Sequence, residues 1–202
     1  MKQLLTGIID FVFPPSPAGE SLRSLKPDAV KSLYQPGMYR DIHYLADYSN
    51  QIVRNAILEN KFHNNIKATR VLAKLLEQWS QNQTSATIYV PVPLGKKRFR
   101  ERGYNQMENI LLAVHSRLAI EKNLIKRVVE TAPQSHLDKN ARKKNVRNAF
   151  SFIGSNVIFE KGAQLVLIDD VVTTGETLLE ARNTLVPNLP RGVTLKCLAI
   201  AH

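Results

Sequence analysis

Residues 166–178 read VLIDDVVTTGETL. Three apolar residues lead into the adjacent carboxylates of Asp169 and Asp170, and two valines, two threonines and a glycine follow. A short apolar run bounded by turn residues and a helix-compatible segment predicts a buried strand, a tight turn and a helix start. Two neighbouring carboxylates at the end of a buried strand are costly unless a partner compensates them. The stretch therefore predicts a site of charge recognition at the strand tip.

The turn after the strand is suited to a phosphate monoester. Ligands of open α/β sheets bind beyond the carboxyl ends of the strands, and the N–H groups and dipole of a helix N-terminus attract anions there. Gly175 permits a close backbone approach. Thr173, Thr174 and Thr177 supply hydroxyl donors.

The carboxylates just before the turn are suited to sugar hydroxyls, or to a divalent cation carried by a polyphosphate. Successive strand residues point to opposite faces. One of Asp169 and Asp170 can therefore reach a ligand while the other braces the loop. A phosphate site beside a diol site describes a ribose 5-phosphate.

The length and charge of the chain predict one domain, alone or with a small appendage, and polyanionic partners. The 202 residues are 44% hydrophobic, and 28 Lys and Arg against 17 Asp and Glu give a net charge of +11, which favours nucleic acid, phosphorylated metabolites or anionic lipid. Cys197 is the single cysteine, which excludes an intrachain disulfide and a cysteine-rich metal site, and it reads as a core residue. No apolar run is long enough to cross a bilayer. The opening 15 residues lack a signal-peptide pattern, because Asp10 and prolines interrupt them, so a cytoplasmic protein is expected.

Strand and helix patterns alternate along the chain. Five prolines in residues 13–38 indicate an irregular arm. Helical spacing predicts helices near 53–60, 66–79 and 176–186, and another carrying Met107 to Leu118 with Asn105 as its N-cap. Strands are predicted in 86–93, 124–132, 149–154, 164–170 and 192–201, the basic stretch 94–104 as a loop, and 133–148 as a mobile loop or short helix. The order predicts a parallel sheet covered on both faces.

Four segments resemble known sequences. The window 166–178 resembles the phosphoribosyl-pyrophosphate (PRPP) signature of type I phosphoribosyltransferases. Residues 89–113, YVPVPLGKKRFRERGYNQMENILLA, resemble the hallmark of the ComF (competence protein F) branch of that superfamily. Residues 55–76, with Lys61-Phe62 as a Lys-aromatic pair, and residues 132–150 resemble further segments of the same family. Together the resemblance covers about residues 45–202.

The resemblance implies an α/β, parallel-sheet type I phosphoribosyltransferase fold in residues 45–202, preceded by an arm in residues 1–44. Relatives usually carry a four-cysteine zinc ribbon after the sequence FPP. Here FPP is residues 13–15 and no cysteine precedes Cys197, so the arm is a degenerate ribbon region without zinc. Thr173 stands where relatives that use 6-oxopurines have a base-contacting aspartate, which argues against that acceptor class. An orotate-like, amine or other acceptor stays open.

The resemblance also assigns roles to residues. Asp169 and Asp170 are the catalytic carboxylates, with Mg2+ carried in by PRPP and no resident metal. The 5-phosphate site comprises Thr173, Thr174, Gly175, Glu176 and Thr177. The pyrophosphate site draws on Lys96, Arg98, Arg100 and Arg102, of which Arg102 is favoured because it adjoins the turn at Gly103. Lys139, Arg142 and Arg147 belong to a hood that closes over the ligand or contacts nucleic acid.

Three functions are consistent with these residues. The first is a PRPP-binding phosphoribosyltransferase-like protein linked to DNA uptake, competence or DNA utilisation, with turnover favoured. The second is a single-stranded DNA-binding protein, in which Phe99, Tyr104 and Phe150 among basic residues stack on bases; for Phe150 ordinary packing is the preferred interpretation. The third is a PRPP sensor without turnover. Expected partners are PRPP, single-stranded DNA and other DNA-uptake proteins, and the oligomeric state stays open.

Overall fold

A computed structural model of the protein describes residues 22, 25, 27–116, 118–129, 148–154, 159–160 and 162–202. The strands are β1 (Gly37–Tyr39), β2 (Ile42–Ala46), β3 (Thr87–Pro91), β4 (Ala119–Ile120), β5 (Ile125–Arg127), β6 (Phe150–Phe152), β7 (Gln164–Val171) and β8 (Thr194–Ala201). The helices are α1 (Pro27–Ser32), α2 (Gln51–His63), α3 (Ile66–Ser80), α4 (Lys96–Arg102), α5 (Gln106–Leu112) and α6 (Glu176–Leu185), followed by a 3₁₀ turn (Val186–Asn188).

The main sheet has six strands in the order β1-β2-β8-β7-β3-β4. All its pairs are parallel except β1–β2, which form an antiparallel hairpin at one edge. β5 and β6 make a separate antiparallel pair. The predicted parallel sheet is confirmed, and β7 lies inside it between β3 and β8. The carboxyl end of β7, which carries Asp169 and Asp170, is therefore held on both sides.

Apolar side chains cover both faces of the sheet, as the sequence predicts. One cluster joins α2, α3 and α5 to the sheet through residues such as Leu72, Leu75 and Met107. The other places Leu178 and Leu185 of α6 against the opposite face. Cys197 is buried in this second cluster, which confirms its packing role, and burial raises the pKa of its thiol to about 11.

Two local predictions for residues 94–118 differ from the structure. The basic stretch predicted as a loop contains α4, which starts after Gly95 and ends at Gly103 with φ 77°. Residues 96–102 bury no side chain, so this helix lacks the apolar periodicity that sequence reasoning uses. Asn105 is confirmed as an N-cap, because its side chain accepts a hydrogen bond from the backbone N–H of Met107, yet α5 ends at Leu112, before Val114 and Leu118.

Residues 13–38, predicted as irregular, contain α1 and the first two residues of β1. Across the ranges that the structure describes, no helix combines the length and apolar character needed to cross a membrane. The same ranges hold no group of three or more His, Cys, Asp or Glu side chains placed to bind a metal ion.

Candidate functional site

A pocket lies where β7 gives way to α6, and it is lined by residues 171–178. We call residues 171–177 the phosphate loop, after the ligand that the sequence predicts for it. Thr173 is exposed, whereas Thr174 and Gly175 are buried. Gly175 is the N-cap of α6 and has φ 81°, a left-handed conformation that glycine adopts without a steric penalty. The predicted strand–turn–helix is confirmed, and the turn places a helix N-terminus at the pocket.

The loop lies tightly against the β1–β2 hairpin. A Cβ atom added to Gly175 would lie 2.7 Å from the Cδ1 atom of Ile42, a separation that real side chains do not show. Gly175 is therefore required for its backbone conformation, and any side chain there would also displace the end of the buried Ile42 side chain. The hairpin therefore limits the positions that the phosphate loop can adopt.

Asp170 is buried, and both of its carboxylate oxygens have partners. Its Oδ2 atom lies 3.1 Å from the Lys61 ammonium and accepts a hydrogen bond of 3.0 Å from the Gln106 amide. Its Oδ1 atom accepts the backbone N–H of Val171 at 2.8 Å. Burial alone would raise the pKa of Asp170, but Lys61 and these hydrogen bonds hold the pKa below its ordinary value. Asp170 is thus the carboxylate that braces the loop.

The pKa of Asp169 is shifted in the opposite direction to that of Asp170. Its Oδ1 atom accepts the backbone N–H of Asp170 at 2.9 Å. Burial and the neighbouring Asp170 charge raise the pKa of Asp169 to about 6, although Lys61 and Arg127 act in the other direction. The side chain is half-buried rather than enclosed. A carboxylate in this state gains from a hydroxyl donor or a cation brought by a ligand.

A polar chain connects the carboxylates to the basic helix α4. Gln106 is buried, donates to Asp170, and accepts a hydrogen bond of 2.9 Å from the Arg102 guanidinium. The Arg102 guanidinium carbon also lies 5.4 Å from the centre of the Phe62 ring. Burial lowers the pKa of Arg102, and Asp170 opposes that shift. Arg102, the cation that the sequence favours for pyrophosphate, is therefore linked to Asp170 through Gln106.

The other predicted cations are placed differently. Lys96 and Arg100 are exposed and Arg98 is half-buried along α4. Lys139, Arg142 and Arg147 lie outside the described residues. Sequence reasoning did not select Lys61 and Gln106 as site residues, although both stand in the quoted family segments, as the Lys-aromatic pair and after Asn105.

The three aromatic residues predicted to stack on bases have different surroundings. The Tyr104 hydroxyl donates to the Asn60 carbonyl at 2.8 Å and accepts the Asn64 N–H at 3.0 Å. Phe150 is buried, which confirms the packing interpretation. Phe99 is 49% exposed. Phe99 is thus the one of the three best placed to meet a ligand.

Glu176, predicted at the phosphate site, is paired with a residue that sequence reasoning missed. Arg40, in the β1–β2 turn, donates through Nη1 to the carboxylate of Glu176 at 2.7 Å and to the carbonyl oxygen of Thr174 at 2.6 Å. No sequence pattern connects Arg40 with residues 134 and 136 positions away. Glu176 therefore contributes to the loop as a member of an ion pair.

The chain matches no family model. It is 31% identical over 176 residues to DNA utilization protein YhgH of Salmonella typhi, an alignment that covers 83% of this chain and 75% of that protein. It is 35% identical over 147 residues to competence protein F of Haemophilus influenzae, covering 68% of this chain and 61% of that protein. A hypoxanthine phosphoribosyltransferase structure from Staphylococcus aureus aligns with a TM-score of 0.38 and 14% identity, over 65% of this chain and 61% of that one.

Proposed function

The chain belongs to the ComF family of competence protein F and DNA utilization protein YhgH, and on that premise we propose that it is a PRPP-binding phosphoribosyltransferase-like protein that serves DNA uptake or DNA utilisation. One observation carries the proposal. A braced carboxylate and a carboxylate of raised pKa lie directly before a glycine-capped helix N-terminus, all at the carboxyl end of β7. A cytoplasmic location and DNA-uptake proteins as partners belong to the same proposal.

In this proposal the phosphate loop binds the 5-phosphate of PRPP. The backbone N–H groups at the start of α6 and the positive end of its dipole supply attraction. Thr173, Thr174 and Thr177 add hydroxyl donors. Asp169 meets the ribose hydroxyls or the Mg2+ that PRPP carries, because its carboxylate gains most from a donor or cation.

The pyrophosphate end lies toward Lys61 and Arg102, which already approach the carboxylate pair. Cations at this position stabilise the charge that develops on a departing pyrophosphate. Lys96, Arg98 and Arg100 extend the positive charge along α4. Transfer then depends on orientation and electrostatics, with no covalent protein intermediate. The acceptor stays open, with 6-oxopurines disfavoured by Thr173.

Pyrophosphate release tests whether turnover accompanies binding. The wild-type protein is incubated with Mg2+-PRPP and a panel of amines and nucleobases. We expect release above the protein-free rate, and a loss of about 100-fold in Arg102→Ala, as for the removal of one preorganised transition-state contact. Arg70→Ala, which removes an exposed arginine of α3, is the matched control. Saturable PRPP binding with no release for any acceptor would contradict the transferase part and favour a PRPP sensor.

A single-stranded nucleic acid is the second candidate ligand, and the exposed aromatics favour it. Phe99 is 49% and Phe62 60% exposed, and α4 carries five cations between Lys96 and Arg102. Aromatic rings beside cations form a stacking platform for unpaired bases. This surface adjoins the PRPP site through Arg102.

Oligonucleotide binding measured against salt tests this second function. We expect the affinity of a single-stranded oligonucleotide to fall steeply with salt, since phosphate neutralisation releases counterions. Phe99→Ala is expected to weaken binding by roughly 5- to 150-fold without changing the salt slope, because stacking contributes about 1–3 kcal/mol per base. Leu112→Ala, another exposed apolar residue, is the control. Equal affinities of the two variants would contradict the stacking surface.

A further inference from the structure

The turn of the β1–β2 hairpin has an unusual backbone. Arg40 and Asp41 have φ values of 49° and 62°, and they link Tyr39 to Ile42. Two-residue hairpin turns with positive φ at both positions normally carry Asn, Asp or Gly. Arginine has no local advantage in such a turn. The reason for Arg40 therefore has to lie in what its side chain contacts.

The Arg40 side chain reaches the phosphate loop at two points. Its Nη1 atom donates to the Thr174 carbonyl oxygen at 2.6 Å and to the Glu176 carboxylate at 2.7 Å. Thr174 and Glu176 flank Gly175, whose backbone lies against Ile42 of the same hairpin. The hairpin thus holds both sides of the residue that caps α6.

Glu176 creates an electrostatic problem for a phosphate site. It is the first residue of α6, and its side chain is only 17% exposed. A phosphate monoester bound at the helix N-terminus would lie near this carboxylate, and like charges in a partly buried place repel strongly. Arg40 neutralises the Glu176 charge at the N-terminus of α6, where the phosphate would bind.

Fold stability does not account for this ion pair. The Arg40 side chain is 45% exposed, and ion pairs with an exposed partner contribute little to unfolding free energy. A side chain held in this conformation for a small stability gain points to a role in binding. Its contacts to Thr174 and Glu176 indicate that this role is to position the phosphate loop.

We propose that Arg40 is a positioning residue of the phosphate loop, which neutralises Glu176 and fixes the Thr174 carbonyl so that the loop accepts a phosphate monoester. The inference rests on the proposed function, because it assumes that a 5-phosphate is bound there. Arg40 acts through Glu176 and Thr174. It therefore determines the affinity of the loop without being a catalytic group.

The test compares calorimetric affinities for ribose 5-phosphate in the wild type, Arg40→Ala, Glu176→Gln and the double variant. Arg191→Ala is the matched control, because it removes an exposed arginine next to the amino end of β8, at the opposite end of the sheet. We expect Arg40→Ala to bind about tenfold more weakly, from uncompensated charge at the site. The double variant should bind within about threefold of Glu176→Gln, since without the carboxylate the only Arg40 contact left to lose is the one to the Thr174 carbonyl. Thermal unfolding should stay close to wild type in all variants.

The outcomes separate this inference from the function it rests on. Failure of the folded wild type to bind ribose 5-phosphate and PRPP would overturn both. Wild-type binding with Arg40→Ala as tight as Arg191→Ala would overturn the inference alone. Weak binding by Arg40→Ala that Glu176→Gln does not rescue would also overturn it, since Arg40 would then act by some means other than neutralising Glu176.

Discussion

Asp169→Asn is expected to raise the thermal unfolding midpoint at pH 7, although the residue stands in the proposed site. Burial and the Asp170 charge raise the pKa of Asp169 to about 6. The ionised carboxylate is therefore held at a cost in the folded protein, and the isosteric amide removes that cost. One pKa unit corresponds to about 1.4 kcal/mol. Solvent reaches the half-buried side chain and screens part of this cost, so we expect a gain of about 1–2 kcal/mol, or several degrees for a chain of this length.

The stability gain of Asp169→Asn should depend on pH. The folded pKa of about 6 exceeds the ordinary value of 3.8, so folded Asp169 holds its proton more tightly than the unfolded chain does. The stability that this tighter proton binding gives the folded protein is fully present below pH 3.8 and is lost as pH rises through about 6. The advantage of Asp169→Asn should therefore be largest at pH 7 and above, and vanish near pH 4.

Asp170→Asn is the matched control and should behave oppositely. The pKa of Asp170 is lowered despite burial, because Lys61 and two hydrogen bonds favour the charged form. Its stabilisation is present at pH 7 and is lost as pH falls below the ordinary value. The amide leaves Lys61 without its carboxylate, so this variant should unfold at a lower temperature. Equal midpoints for both variants at pH 7 would contradict the assignment of brace and ligand-facing carboxylate.

Gly175→Ala is expected to cost about 2–4 kcal/mol of unfolding free energy and to abolish phosphate binding. The left-handed backbone at φ 81° costs an alanine roughly 1 kcal/mol. The added Cβ would lie 2.7 Å from Ile42 Cδ1, and forced overpacking typically costs a further 1–3 kcal/mol. Denaturant unfolding and ribose 5-phosphate binding measure the two effects.

Gly192→Ala separates conformational strain from the steric clash. Gly192 has φ 86°, and nothing lies within 4 Å of its added Cβ. It should lose about 1 kcal/mol, the conformational part alone. Gly175→Ala combined with Ile42→Val, which removes the clashing methyl, should recover part of the additional loss. A cost no larger at Gly175 than at Gly192 would show that the hairpin does not confine the loop.

The sequence predicted those parts of the site that local pattern determines. The apolar run before Asp169 predicted β7, and the threonines and glycine predicted the turn into α6. Asn105 was identified as an N-cap because capping depends on the residue's own side chain and the next few backbone groups. These features need no knowledge of the rest of the chain.

The remaining features depend on contacts between distant segments. Gln106 reaches Asp170 across 64 residues, and Arg40 reaches Thr174 across 134. No period or turn rule connects such positions, so sequence reasoning missed Arg40 entirely. It also missed α4, whose seven residues bury no side chain. Its dense charge resembles that of a solvated loop.

The most direct test is calorimetric titration of Mg2+-PRPP into the wild type and the Asp169→Asn/Asp170→Asn variant, with folding of both verified by thermal unfolding. We expect saturable one-site binding by the wild type and no measurable binding by the variant, because the variant retains the fold and loses both carboxylates. Absence of binding by the folded wild type, or equal binding by the variant, would contradict a PRPP site at the end of β7.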